Sequence, residues 1–259
     1  MSLTPLPTQS QTVLVGCPAG EWHTFPVQLL ELFLRRRGYK VVNLGADIPA
    51  DRVVTTIFSI NPQLVVMSAQ TLVSAASLGD VFSTLRTSGT LLAYGGQIFN
   101  RVPAIRNAIP GYFLGEVIEE SINEIETLLR NPAIQSTAVV RSGKYLQLIQ
   151  RFQEKRVILE LDLVQSFTKD ALPSGFLNIA NTFLGNGLVA ALNLGDLAYI
   201  YPDLEWIGNM LTARELPFTL LLLYLNTYRE MLKTQLGQEG LPITNMIDTF
   251  ISENNTARK

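Results

Sequence analysis

Up to about residue 130, short β-rich runs alternate with segments of helical periodicity, and this alternation restricts the possible folds more than any other feature of the sequence. TVLVG (12–16), YKVVNL (39–44), QLVVMS (63–68), TLLAYGG (90–96) and GYFLG (111–115) read as five strands. FPVQLLELFLRRRG, PADRVVTTIFSIN, the stretch around SLGDVFSTLRTSG, and IFNRVPAIRNAI lie between them with apolar residues at helical spacing. EVIEESINEIETLLR follows the last strand in the same pattern, and Gly38 and Pro62 fall where helices should stop. Strands of this length alternating with helices form βαβ units, so they run parallel with right-handed crossovers. The expected fold is a flavodoxin-like (Rossmann-like) five-stranded parallel sheet that takes its ligands at the carboxyl edge of the strands.

The pattern changes after NPAIQSTAVVRSGK (131–144). YLQLIQRFQEKRVILELDLVQSFTKDAL, GFLNIANTFLGNGLVAALN, LAYIYPDLEWIGNMLTAR, FTLLLLYLNTYREMLKTQL and ITNMIDTFIS read as four or five helices, with Pro173, Pro202, Pro217 and Pro242 near their boundaries. We therefore expect a tail at 1–10, an α/β domain at 11–133, a linker at 134–144 and an all-α helical bundle at 145–259.

Charge and composition narrow the partners. A net charge of −2 without a basic block argues against direct nucleic-acid contact. The apolar run LPFTLLLLYLN (216–226) is well short of the roughly 20 residues that span a bilayer, so no membrane is expected. The single cysteine, Cys17, cannot close an internal disulfide, and MSLTPLPTQSQ carries no signal-peptide pattern; a cytoplasmic location is expected. Cys17 reads as a small buried residue, the RRR at 35–37 as a solvated helix end, Trp22 as packed on its loop and Trp206 as bundle core.

Function should lie in the loops after strands 1, 3 and 4. The first is CPAGEWH (17–23), which holds the only histidine of the chain. The third strand ends in Ser68 and the fourth in Gly95 and Gly96. No G-x-G-x-x-G follows strand 1 and no G-x-x-x-x-G-K-[ST] occurs, which excludes the usual dinucleotide and P-loop signatures. A phosphoacceptor receiver would need an aspartate where Ser68 stands. Glu21 lies two residues before His23 and can hold one ring nitrogen, leaving the other free as a metal ligand. One imidazole is too few for a zinc site built by protein alone. A metal already held by a macrocycle needs only one protein ligand, so a tetrapyrrole or corrin is the cofactor class to expect.

These motifs resemble the cobalamin-binding (B12-binding) domain family, in particular the branch found in MerR-type light- and cobalamin-responsive regulators. CPAGEWH (17–23), LLELFLRRRGYKVVNLGADIP (29–49), NPQLVVMSAQTL (61–72) and LLAYGGQIF (91–99) carry the resemblance over roughly residues 11–130. It implies that His23 is the lower axial ligand to cobalt in place of the cofactor's own base, with Glu21 as its partner. It also implies that the displaced nucleotide tail threads near Ser68, with Gly95 and Gly96 allowing close backbone approach. Two departures stand out: Pro26 replaces the family's glycine three after the histidine, and Ser68 is followed by Ala-Gln-Thr rather than by Leu at the second position. A sister branch binds heme instead of cobalamin, so heme or another tetrapyrrole is the alternative cofactor.

No Ser/His/Asp set, metal cluster or carboxylate pair suggests catalysis, and the chain is too short to add a substrate barrel. The expected function is a non-catalytic sensor or regulatory protein acting through a protein partner or a homo-oligomer. The alternatives are a corrinoid carrier for a methyltransferase and a domain that has kept the fold without the ligand. For Ser68 two readings stand side by side, a hydrogen-bond donor to the tail and a cap for the next helix.

Overall fold

β1 (Thr12–Gly16), β2 (Lys40–Asn43), β3 (Leu64–Ser68), β4 (Leu91–Gly95) and β5 (Tyr112–Phe113) form one parallel sheet in the order β2-β1-β3-β4-β5. This computed structural model describes residues 6–86, 88–131, 145–167 and 174–257. The strand order is the flavodoxin-like one expected, and it reverses direction between β1 and β3. In such sheets the crevice beyond the carboxyl ends at the reversal is where ligands sit. Register aligns the functional ends, with Gly16 beside Met67 and Ser68 beside Gly95.

The strands are apolar throughout because helices cover both faces. Val13, Val15, Cys17, Leu64, Val66 and Ala93 face α1 (Phe25–Arg36) and α5 (Ile118–Arg130) and form one core with Leu30, Leu34, Ile122 and Ile125. Helix α1 follows from its pattern: Val27, Leu30 and Leu34 recur at helical spacing and are buried, at about 1.5–3 kcal/mol each. Pro26 occupies the first turn, where a missing N–H costs nothing. Gly38 ends the helix at φ +87°, donating to Arg35 O, and a Cβ there would lie 2.1 Å from Thr8 Oγ1. Alternate residues such as Leu14, Val65 and Met67 point to the other face, the side of α2 (Ala50–Ile60) and α3 (Leu72–Leu85). The Asn61 left-handed cap before Pro62 stops α2.

Two elements are shorter than their sequence suggested. GYFLG yields only the two-residue β5, and IFNRVPAIRNAI is not one helix: α4 (Gln97–Arg101) ends before Pro103, and a 3-10 turn covers Pro103–Ala108. Proline removes the N–H that would continue the helix. Tyr94, Phe99 and Phe113 cluster here, with the Arg106 guanidinium 4.0 Å from the Phe113 ring centre.

The chain divides into two compact units, Met1–Arg141 and Ser142–Lys259. The linker expected at 134–144 and the first half of the tail lie outside the described residues. The second unit is helical, as expected: α6 (Leu146–Ser166), α7 (Ser174–Leu194), α8 (Tyr201–Ala213), α9 (Thr219–Leu236) and α10 (Leu241–Ala257). Helix α9 packs against α6 and α10 and buries Leu225, Tyr228 and Leu232. Arg156 on α6 ion-pairs with Glu160 and reaches the Asn181 and Thr182 carbonyls across Gly185. A Cβ on Gly185 would stand 2.4 Å from the Arg156 guanidinium carbon, so the glycine leaves room for that side chain to reach the α7 carbonyls.

Trp206, expected in the bundle core, is 55% exposed within this unit; Leu204 of the same helix takes the buried position. Helix α7 forms as expected. Gly175–Leu194 is long and apolar enough to cross a membrane by length and composition, and half of that stretch is buried within the unit.

Candidate functional site

The loop after β1 is held by the loop after β2. Cys17 N donates to Gly45 O and Ile48 N to Cys17 O. Gly20 N donates to Asp47 Oδ1 at 2.8 Å, and Asp47 N donates back to Glu21 O at 2.8 Å. Asp47 adopts φ +50° to make both contacts, a conformation aspartate tolerates better than most residues. Anchored in this way, the loop turns Glu21 fully inward while the side chain of His23 remains 70% exposed.

The Glu21 carboxylate is saturated with donors. Oε1 accepts the backbone N–H of His23 at 2.9 Å and lies 2.6 Å from its Nδ1. Oε2 accepts the backbone N–H of Gln70 at 2.6 Å and the hydroxyl of Ser74 at 2.8 Å. Burial by itself would push the carboxyl pKa up. The two backbone N–H groups, then the imidazole and the Ser74 hydroxyl, outweigh it and hold Glu21 below the usual carboxylate range. An ionised carboxylate only accepts, so Nδ1 of His23 carries the proton and Nε2 is the outward-facing nitrogen. Burial, and next the Glu21 charge, push the neighbouring Cys17 thiol up to about 11.

Gln70 connects this loop to β4. Its Nε2 donates to Ser68 Oγ at 2.8 Å and its Oε1 accepts Gln97 N at 3.0 Å. Beside it opens a cavity of about 280 Å³ with an apolar wall that includes Val15, Leu30, Val66 and Leu114. Ser68, Gln70, Gly95 and Gly96 line its strand-end side and Pro26 stands on the α1 side. The two glycines differ. Gly96 has φ +122°, and a Cβ there would lie 2.0 Å from Ala69 O; a Cβ on Gly95 would meet nothing within 4 Å. Gly96 lets the two loops touch, while Gly95 leaves space open.

Of the residues singled out in the sequence, Glu21 and His23 are hydrogen-bonded to one another, and Ser68, Gly95 and Gly96 line one cavity with Gln70 between the two groups. Ser68 does not cap the next helix: Thr71 does, in a reciprocal pair with Ser74. Trp22, expected to pack on its loop, is 70% exposed. Sequence reasoning missed Gln70 and Ser74. Their only signal was position, within eight residues of the β3 end.

The donor set fits a macrocycle-held metal. Among the described residues no three His, Cys, Asp or Glu side chains gather to hold an ion, so the exposed Nε2 of His23 would be the one protein ligand. The cavity lined by Ser68, Gln70 and Gly95 is one that a Cβ at Gly95 would begin to fill.

Comparison with known proteins gives the same direction. Residues 11–118 match the family model of the B12 binding domain. A 67-residue stretch is 33% identical to the HTH-type transcriptional repressor CarA of Myxococcus xanthus, covering 26% of this chain and 23% of the repressor. Among solved structures, a cobalamin-binding protein from Desulfitobacterium hafniense DCB-2 aligns at 16% identity and TM-score 0.39, over 45% of this chain and 58% of that one. The methanol:cobalamin methyltransferase complex MtaBC from Methanosarcina barkeri aligns at 24% identity and TM-score 0.42, over 46% of each chain. The matched part thus spans under two thirds of each of these relatives. The match over residues 11–118, together with the five-stranded parallel sheet, makes the N-terminal part of this chain similar to the B12 binding domain family.

Proposed function

We propose that the N-terminal unit binds cobalamin, with the Nε2 of His23 as the axial protein ligand to cobalt, and that the chain is a non-catalytic sensor or regulator acting through protein contacts. The observation that carries the reading is the buried, ionised Glu21, which holds Nδ1 of an otherwise exposed imidazole. A surface histidine gains little from such an arrangement unless its other nitrogen has work to do. A hydrogen bond from Nδ1–H to a carboxylate sets the tautomer and raises the basicity of Nε2. A bound corrin would supply a cobalt centre able to take the imidazole nitrogen of His23 as its protein ligand. The chain's own residues orient the imidazole, keep Glu21 charged and leave a pocket beside β3 and β4 for the displaced tail.

Pro26 favours a second reading, a heme or other tetrapyrrole without a tail, because it narrows the α1 side of the cavity and lacks an N–H. A corrinoid carrier would be marked by co-purification with a methyltransferase. Absorption spectra with cobalamins and with hemin, on the wild type and His23→Ala, test the assignment. A His-ligated cobalamin spectrum that disappears in His23→Ala, with unchanged circular dichroism, is the expected result. A spectrum unaltered by the substitution overturns the ligation.

A further inference from the structure

Helix α7 carries no charged residue anywhere between Ser174 and Leu194. Leu177, Leu184 and Leu188 form its buried side. On the other side Phe176, Ile179 and Phe183 recur at spacings of three and four and face outward. Helix α6 repeats the arrangement beside it. Leu159 and Leu163 point into the unit, the Arg156–Glu160 ion pair lies against α7, and Val157 and Leu161 stand outward. Arg156 bonds to the Asn181 and Thr182 carbonyls and to Asn186 Oδ1, which brings Val157 alongside the middle of α7. The five outward side chains are each between 38% and 69% exposed. Together they present about 500 Å² of apolar surface, in the range of the largest patch a monomer usually shows, which is often functional.

We propose that this face of α7 and α6 docks on the same face of a second copy of the chain in a two-fold pair. A two-fold contact sets a surface against itself, so a net charge on it would meet its own like. The α7 face carries none, and the Arg156–Glu160 pair beside it is neutral as a unit. A partner chain of either charge would find no counter-charge here. Joining two copies buries about 1,000 Å², the area from which a specific interface becomes stable. A lipid surface fits less well. A helix lying on a membrane carries Lys or Arg along its polar side, whereas the inner side of α7 is apolar and already packed within the unit. The face lies outside residues 11–118, so the proposal stands independently of the cobalamin reading.

Analytical ultracentrifugation of the full chain tests the pairing. The wild type should pass from monomer to dimer over about 1–100 μM. Ile179→Lys and Phe183→Lys set like charges across the contact and should raise the dimer dissociation constant at least about tenfold, with unchanged circular dichroism. Phe58→Lys, at an equally exposed position on α2, should leave the dimer as it is. A wild type that is monomeric throughout, or a dimer that both α7 variants leave intact, overturns the proposal. Flotation of the wild type with anionic phospholipid vesicles, lost in Ile179→Lys, likewise overturns it by assigning the face to lipid. Should the lysine variants lose their helical signal, Ile179→Ser, which trims the apolar area without adding charge, decides in their place.

Discussion

The Ser74 hydroxyl donates to Glu21 Oε2 across 2.8 Å, joining residues 53 positions apart. The first turn of α3 thereby holds the loop after β1, and the same oxygen takes the Gln70 N–H. Hydrogen bonds to a charged group contribute about 1.5–3 kcal/mol each. Ser74→Ala should therefore lower unfolding free energy by about that amount, seen as an earlier midpoint in urea. It should also weaken cobalamin binding, because Glu21 then positions His23 less firmly. Unchanged stability and unchanged affinity together would show that this contact is incidental.

Acid sensitivity follows from Glu21. Its folded pKa lies below its unfolded value, so its contribution to stability is complete above the unfolded carboxylate pKa, about 4.3. The contribution disappears as pH falls through the folded pKa. Urea midpoints of the wild type should drop on acidification from pH 5 to pH 3, and those of Glu21→Gln should drop less. Parallel profiles would rule out a special role for this carboxylate. With ligand present, Glu21→Gln should reduce affinity by roughly 10–100-fold, as loss of a ligand's orienting partner does.

Cys17 supplies a test at the alkaline end. It is fully buried, and its thiol pKa is raised to about 11, so the folded state holds the thiol proton where the unfolded chain has lost it. Stability should fall as pH rises from about 9 to 11, a trend that Cys17→Ala lessens, the remainder coming from buried tyrosines such as Tyr94, whose phenol burial also pushes up. At pH 8 the native thiol should resist a disulfide reagent and then react with one equivalent after unfolding. Fast native labelling would contradict the burial.

Pro26 separates the two cofactor readings. It lines the cavity on the α1 side, so Pro26→Gly widens the space available to a nucleotide tail. Cobalamin affinity should rise while hemin affinity stays within a factor of about two. Equal changes in both ligands would assign Pro26 a role in stabilising the first turn of α1, with none in selection.

What could be read from the sequence was local. Glu21 and His23 meet because only Trp22 stands between them, and the five strands are legible as short apolar runs between turn residues. Gln70 and Ser74 were not legible, because their partners arrive only when β3 is laid beside β1 and β4. Trp206 was misjudged for a related reason. Helix α8 has apolar residues on more than one side, so period alone does not say that Leu204 points inward and Trp206 outward. Residues 103–108 followed a helical pattern, yet Pro103 breaks it after a five-residue α4.

Gly95 and Gly96 are adjacent in sequence and opposite in consequence. At Gly96 an added methyl would collide with the Ala69 carbonyl at 2.0 Å, in a backbone conformation that L-residues rarely adopt. Gly96→Ala should therefore destabilise the fold by at least about 1–3 kcal/mol and disturb the β3–β4 junction itself. At Gly95 the methyl enters open space beside Ser68, on the cavity wall. Gly95→Ala should leave the urea midpoint nearly unchanged and lower cobalamin affinity, with cobinamide, which has no tail, much less affected. The pair of variants thus separates a glycine needed for close backbone approach from one needed for an empty pocket. Equal loss of stability in both, or a Gly95→Ala protein that binds cobalamin like the wild type, would remove the cavity from the binding site.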